Sequence, residues 1–186
     1  MFRRCGPILP SGGLRAYHCD HRVTEEGNLV DTVGLRSAYQ AVAAAARNGP
    51  FRDPGTDEWN TAQILGHLIA NDRLVCAVAA DLIDDGEPSF DNESAHRMTL
   101  VDAIVASVPD HECLVQQMER QAEEVCALME SMDDDIAQRR VTVSSFDDGE
   151  MRMDGPEPWC SLMNVHALLH LPAHTSQILA LRLQSA

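Results

Sequence analysis

Apolar residues recur at intervals of three and four positions along four long segments, and this period constrains the fold more than any other feature of the sequence. Aromatic residues make up only 4% of the chain, so the core must consist mainly of aliphatic side chains and methionine, which favours helix over sheet. The sequence therefore predicts an all-α fold, a four-helix bundle. Its long helices are expected over residues 24–47, 59–83, 110–132 and from 159 or 161 to 183.

The remaining segments divide the chain into a lead-in and one domain. Residues 1–22 contain Pro, Gly and Arg without periodicity, which predicts a disordered or loosely attached lead-in, and residues 23–186 form the domain. A long crossover joins the second and third long helices, with a short helix over 99–108. Residues 141–144 and 150–153 flank Asp147-Asp148-Gly149, which indicates a small hairpin before the last helix.

Charge and composition exclude several classes of function. The net charge of -15 disfavours binding to nucleic acid or to anionic membrane surfaces. Every basic residue is Arg, so a Schiff-base lysine and a phosphate-binding lysine are excluded. No apolar run approaches the roughly 20 residues of a membrane span. The 6 cysteines form no metal-binding or disulfide pattern, so we expect free thiols in a cytoplasmic protein.

Three histidines on the last predicted helix carry the strongest chemical signal. His166, His170 and His174 follow one another at four-residue intervals and share one helix face. Two imidazoles one turn apart can point ring nitrogens at one divalent ion, and His67 in the second helix is a candidate third ligand. The spacing leaves open whether His166 and His170 or His170 and His174 form the pair.

An ordinary core histidine bonded to a carbonyl is the alternative explanation for His67 alone. It does not suit the whole set, because imidazoles gathered in an apolar bundle without an ion would leave donors and acceptors unpaired, at about 1–3 kcal/mol each. Gln63, Asn71 and Gln177 lie one turn or less from the candidate ligands and are candidates to orient an imidazole. Other residues receive no role: His18, His21, His96 and His111 as isolated histidines, and Cys76 and Cys126 as small core residues.

Two short stretches of the sequence resemble a known family. Residues 58–68 (EWNTAQILGHL) place Trp at a helix start with His eight positions later, and residues 170–178 (HLPAHTSQI) form a closing H-x-x-x-H helix. Both are similar to the DinB-like superfamily of four-helix bundles, which includes damage-inducible proteins, bacillithiol transferases and mycothiol-dependent maleylpyruvate isomerases. The resemblance implies one divalent metal on His67, His170 and His174, with His166 one turn outside. Pro172 departs from the pattern and predicts a kink between two ligands.

Three protein ligands leave positions open on Zn, Ni or a similar ion, which is typical of catalytic rather than structural sites. We therefore expect a metal-dependent enzyme that activates a low-molecular-weight thiol or water for transfer, isomerisation or hydrolysis of a small molecule. The alternative is a non-catalytic metal-binding, stress-response bundle. The last helix is apolar on nearly every side, so we expect it to be either central in the bundle or part of a subunit interface, and a homodimer is expected. DNA binding conflicts with the charge.

Overall fold

The computed structural model describes residues 29–55, 58–147 and 150–183, which are mostly helical with one small sheet. The predicted lead-in, residues 1–22, lies outside the described residues. The elements in chain order are α1 (Thr32–Arg47), α2 (Thr61–Ile83), β1 (Ser89–Asp91), a 3-10 turn (Glu93–His96), α3 (Met98–Ala106), α4 (His111–Ser131), α5 (Asp134–Ala137), β2 (Arg140–Asp147), β3 (Glu150–Pro158), α6 (Trp159–Val165), a π turn (His166–His170) and α7 (Leu171–Leu181).

The long helices bury one shared aliphatic core. α1 packs against α4 and α7, and α2 packs against α3, α4 and α7. The fully buried side chains include Leu35, Leu65, Leu68, Met118, Met129 and Leu171. Burying such side chains is worth about 1.5–3 kcal/mol each, so this core supplies the main stabilisation of the fold. In the part of the chain described, no helix combines the length and the hydropathy that crossing a lipid bilayer requires.

Helix starts follow the capping residues. Asn60 caps α2 through a reciprocal pair of hydrogen bonds with Gln63, and the Asp110 carboxylate caps α4 by accepting from the Cys113 N–H at 2.8 Å. The predicted first helix is wrong over residues 29–31, because α1 begins only at Thr32. Asp31 accepts from the Gly34 N–H at 2.8 Å, and this cap sets the start.

A three-stranded sheet corrects the expectation of an all-α fold. β2 and β3 pair antiparallel, as the hairpin signal predicts, with the turn residues 148–149 outside the described part. β1 pairs parallel to β2 and is the strand that the sequence did not predict. β3 continues beyond the predicted segment 150–153, through Pro156 to Pro158. The strand order β1-β2-β3 leaves β3 at an edge, where proline is tolerated.

The crossover between α2 and α4 brings a second layer against α2. β1, the 3-10 turn and α3 all contact α2. The turn residue Ala95 is fully buried, and its neighbour His96 lies against the His67 ring with 4.6 Å between ring centroids. Gly66 of α2 allows α3 to pack closely against α2, because a Cβ at position 66 would lie 3.1 Å from the Val101 carbonyl oxygen. The crossover thus covers one side of His67.

Candidate metal centre

His67 is the candidate ligand that α2 contributes. Its side chain is fully buried, and its Nδ1 lies 2.9 Å from the carbonyl oxygen of Ala95. A carbonyl oxygen can only accept, so the Nδ1–H donates and the neutral ring carries its lone pair on Nε2. The turn that closes the crossover therefore fixes which nitrogen of His67 is free to bind a cation.

The final helix contributes two further imidazoles to the same point. The Nε2 of His170 lies 3.2 Å from the Nε2 of His67 and 3.1 Å from the Nε2 of His174. The Nδ1 of His174 lies 2.7 Å from the Gln177 side-chain carbonyl oxygen, so it donates there and leaves its lone pair on Nε2 as well. These three residues form a group whose ligand atoms all lie within 4.8 Å of one another, as a metal ion requires.

A π turn separates the two parts of the final helix. The Leu171 N–H bonds to the His166 carbonyl oxygen, five residues back, and Pro172 follows without an N–H of its own. The backbone dihedrals stay helical across both junctions, so the loss of a hydrogen bond at Pro172 is absorbed by a wider turn within one helix. The π turn therefore lies where the predicted kink was expected, and His170 is its last residue.

The donor set fits a divalent cation with nitrogen ligands. Imidazole nitrogens bound to a tetrahedral zinc ion at 2.0–2.1 Å stand about 3.3–3.4 Å apart, close to the two measured separations. Without a cation, the lone pairs of His67 and His174 would both face the Nε2 of His170, which carries at most one proton to share between them. Imidazole suits zinc, nickel and related ions alike, so the donors select a class of metal rather than one element.

Burial keeps the three imidazoles neutral. Burial, and then the neighbouring imidazoles, hold the pKa values of His67 and His170 well below their usual range. Burial also lowers the pKa of His174 to about 4, against the opposing effect of the hydrogen bond to Gln177. At neutral pH a cation would therefore not compete with protons for these nitrogens.

His166 lies outside the ligand group and contacts His170 through the ring nitrogen that faces away from the other two ligands. Its Nδ1 is 3.0 Å from the Nδ1 of His170, and its Nε2 is 2.8 Å from the Tyr39 hydroxyl and 3.3 Å from Oδ1 of Asp72. His166, Tyr39 and Asp72 are all buried. The sequence analysis missed Tyr39 and Asp72, although Asp72 continues the apolar line of Ile64 and Leu68 at helical spacing. The presence of a carboxylate on the apolar face of a predicted helix was the signal that could have identified Asp72.

The other candidates to orient an imidazole differ in their contacts. Gln177 accepts from His174 as described above. The Gln63 side chain bonds to the Asn60 backbone and, at 3.1 Å, to Asp102. Asn71 is buried in α2, and within the described chain no hydrogen bond joins Asn71 or Gln63 to a histidine.

Two residues form an aromatic wall on His67 that the sequence analysis did not assign to the site. The rings of Trp59 and His96 stand 4.9 Å and 4.6 Å from that of His67 between centroids, and 5.9 Å from each other. His96 was expected to be an isolated loop histidine, which the structure contradicts. The 3-10 turn that carries it gave no signal in the sequence. His111 instead donates to the Ala46 carbonyl oxygen at 2.9 Å.

Cys76 and Cys126 have thiols that are poorly suited to act as nucleophiles. Cys76, Cys113 and Cys126 are free thiols. Burial raises the pKa values of Cys76 and Cys126 to about 11, so both stay protonated at neutral pH. This agrees with their interpretation as small core residues.

Comparison with known families assigns the chain. The family model of the DinB superfamily matches residues 35–172, which span α1 to the start of α7. Searches of curated proteins and of solved structures returned no match. The matched range contains two of the three clustered histidines and ends just before the third. The chain belongs to the DinB superfamily.

Proposed function

We propose that this protein is a DinB-type four-helix bundle in which His67, His170 and His174 hold one divalent cation of the zinc or nickel class. The observation that carries the proposal is the convergence of three Nε2 atoms, at 3.1 Å and 3.2 Å for the two closest pairs. The Nδ1 contacts of His67 and His174 support it, because they leave lone pairs on the converging nitrogens.

We further propose that the centre is catalytic and acts on a small molecule. Three protein ligands leave between one and three positions open, depending on the ion. When bound, the cation would act as a Lewis acid that lowers the pKa of a low-molecular-weight thiol or of water. His170 is partly exposed while His67 and His174 are buried, which gives a reactant an approach from the His170 side.

The protein's own residues would hold the ligand imidazoles in position and keep water away from the His67 side of the centre. Ala95 and Gln177 hold the rings of His67 and His174 in fixed directions, and the Trp59 ring closes the His67 side. The thiols of Cys76 and Cys126 stay protonated at neutral pH, so we propose a cosubstrate rather than either of these residues as the nucleophile. Transfer, isomerisation and hydrolysis are the reaction classes compatible with such a nucleophile.

The alternative function is a non-catalytic metal-binding bundle that works as a homodimer in a stress response. One observation favours dimerisation: Leu168 and Leu179 of the final helix are 65% and 49% exposed. Exposed leucines on one helix are a common feature of subunit interfaces, and a dimer would cover them.

Metal analysis of protein purified without a histidine tag tests the metal centre. We expect one divalent ion per chain, its loss in His67→Ala, and its retention in the matched control His111→Ala. His111 is the control because it belongs to another helix and bonds only to the Ala46 carbonyl oxygen among the described residues. Wild-type protein that neither retains a metal nor takes one up on reconstitution would refute the metal centre.

Thiol-conjugation assays separate the enzyme from the binder. Metal-loaded protein is incubated with mycothiol or bacillithiol and an electrophile, and turnover that disappears in His67→Ala supports the enzyme. No turnover with either thiol or with hydrolysable esters, together with a dimer in sedimentation that dissociates in Leu168→Glu, would favour the non-catalytic alternative.

A further inference from the structure

Asp72 is a carboxylate in the apolar interior that the proposed ligand set does not use. Its side chain is 0% exposed, and among the described residues neither oxygen has a hydrogen bond of good geometry. Its nearest polar neighbours are the Nε2 of His166, 3.3 Å from Oδ1, and the Tyr39 hydroxyl, whose pKa is raised well above its usual range by burial and by this carboxylate. Burying a carboxylate costs free energy of folding, so the presence of Asp72 in the core calls for an explanation.

The position of each proton in this cluster can be assigned by first identifying the groups that only accept hydrogen bonds. The proton chain is traced with the Asp72 oxygens as acceptors and with the single proton of Tyr39 on its own oxygen. If Tyr39 donates to Asp72, the Tyr39 oxygen accepts from the Nε2–H of His166 at 2.8 Å. With the ring proton of His166 on Nε2, its Nδ1 carries a lone pair and accepts from the Nδ1–H of His170 at 3.0 Å. The lone pair of His170 is thereby left on Nε2.

A second arrangement of the same protons competes with this one. The Nε2–H of His170 would donate to His67 and His174, the Nδ1–H of His166 would donate to His170, and Tyr39 would donate to the Nε2 of His166. In that arrangement His170 has no lone pair on the shared side, so it cannot ligate. It also places the lone pair of His166 against Oδ1 of Asp72 at 3.3 Å, which is repulsive.

We propose that Asp72 is a positioning residue of the metal centre, which acts through His166, with Tyr39 between them, to hold His170 in the tautomer whose Nε2 can bind a cation. This inference rests on the proposed metal centre. Partners that fix the tautomer of a metal-binding histidine are a general feature of metal sites, and their removal typically lowers metal affinity about 10–100-fold. In this protein the partner of His170 is another histidine, His166, and the Asp72 carboxylate contacts His166 rather than His170.

The first test combines zinc affinity with the tautomer of the metal-free protein. Zinc affinity is measured by competition with a chromogenic chelator, and nitrogen-15 NMR of the imidazoles reports which ring nitrogen is protonated. In metal-free wild type we expect the proton of His166 on Nε2 and that of His170 on Nδ1. In Asp72→Asn an amide N–H can face the Nε2 of His166, so both protons should shift and zinc affinity should fall about 10–100-fold.

Two controls separate this role from packing and charge. Asp102→Asn makes the same chemical change at an exposed carboxylate that accepts from Gln63, and it should leave zinc affinity unchanged. Tyr39→Phe keeps the ring and leaves Asp72 facing His166, so the wild-type tautomers should persist and zinc affinity should fall less than in Asp72→Asn. A purely structural role for Asp72 would not move the imidazole protons.

The outcomes distinguish the two proposals. Wild-type protein that binds no zinc refutes the metal centre, whatever the tautomers. Zinc binding by the wild type with His166 protonated on Nδ1 when metal-free, or with unchanged affinity in Asp72→Asn, overturns the role of Asp72 alone. If Asp72→Asn does not fold, His166→Phe replaces it, because it removes the acceptor for His170. It should show the same loss of affinity, and wild-type affinity in that variant overturns the proposal.

Discussion

Lowering the pH should destabilise the metal-free protein steeply, because three imidazoles are buried in the neutral form. The unfolded chain protonates histidine near pH 6.5, whereas His67, His170 and His174 in the folded chain have lowered pKa values. The unfolded state therefore binds more protons as the pH falls. The stability is fully present above about pH 6.5 and is lost below it, down to the folded pKa, which is about 4 for His174.

The magnitude follows from the unfolded state alone as long as the folded pKa values stay below about 5. Between pH 7.5 and 5.5, each such histidine changes the free energy of unfolding by about 1.4 kcal/mol, so the group of three contributes roughly 4 kcal/mol. Few carboxyl groups titrate in this interval, because the ordinary pKa values of Asp and Glu lie below it. This is a large part of the stability of a domain of this size.

Urea unfolding of chelator-treated protein at several pH values measures this change. His174→Gln should reduce the pH dependence by about one third, because one of the three histidines is removed. His111→Gln, which replaces an exposed histidine outside the group of three, is the matched control for the substitution itself. A change in the free energy of unfolding below about 1 kcal/mol between pH 7.5 and 5.5 would refute the reasoning, since buried neutral imidazoles cannot give so small a value.

Three further predictions concern the helix contacts and the thiols. Gly66→Ala should lower the melting temperature despite the gain of about 1 kcal/mol in helix propensity, because the new Cβ would lie 3.1 Å from the Val101 carbonyl oxygen; a raised melting temperature contradicts this packing. Asn60→Ala removes the capping box of α2 and should cost about 1 kcal/mol in urea unfolding, whereas no cost would mean that the cap is dispensable. Cys76 and Cys126 should react with iodoacetamide at pH 7.5 far more slowly than in denatured protein, as peptide mass spectrometry can follow, and equal rates would contradict their raised pKa values of about 11.

Local signals in the sequence were sufficient to locate the long helices, but not the start of the first one or the short helix α5. The helix predicted over residues 110–132 matches α4, whose start the Asp110 side chain caps, and the D-G pair after Asp147 predicted the hairpin. β1 could not be predicted in the same way, because three residues are too short for a period and its partner strand begins about fifty residues later. The first helix was predicted to include residues 29–31, and this was wrong because the Asp31 side chain caps a helix that begins at Thr32.

The candidate site was predictable to the extent that its chemistry is encoded by residue type and spacing. The four-residue spacing of His170 and His174 identified one pair, and the resemblance chose it over the pair with His166. Tyr39 is 127 residues from His166 in the sequence, so no spacing rule connects them. The π turn depends on how the backbone adjusts before Pro172, which residue preferences alone do not determine.

X-ray absorption at the zinc edge of the tag-free, zinc-loaded protein tests the central claim most directly. The account predicts three imidazole nitrogens at about 2.0–2.1 Å from zinc, with the remaining ligands light atoms such as oxygen. In His67→Ala the imidazole scattering should fall, while in His111→Ala it should not change. A sulfur ligand, or fewer than three imidazoles in the wild type, would contradict the account.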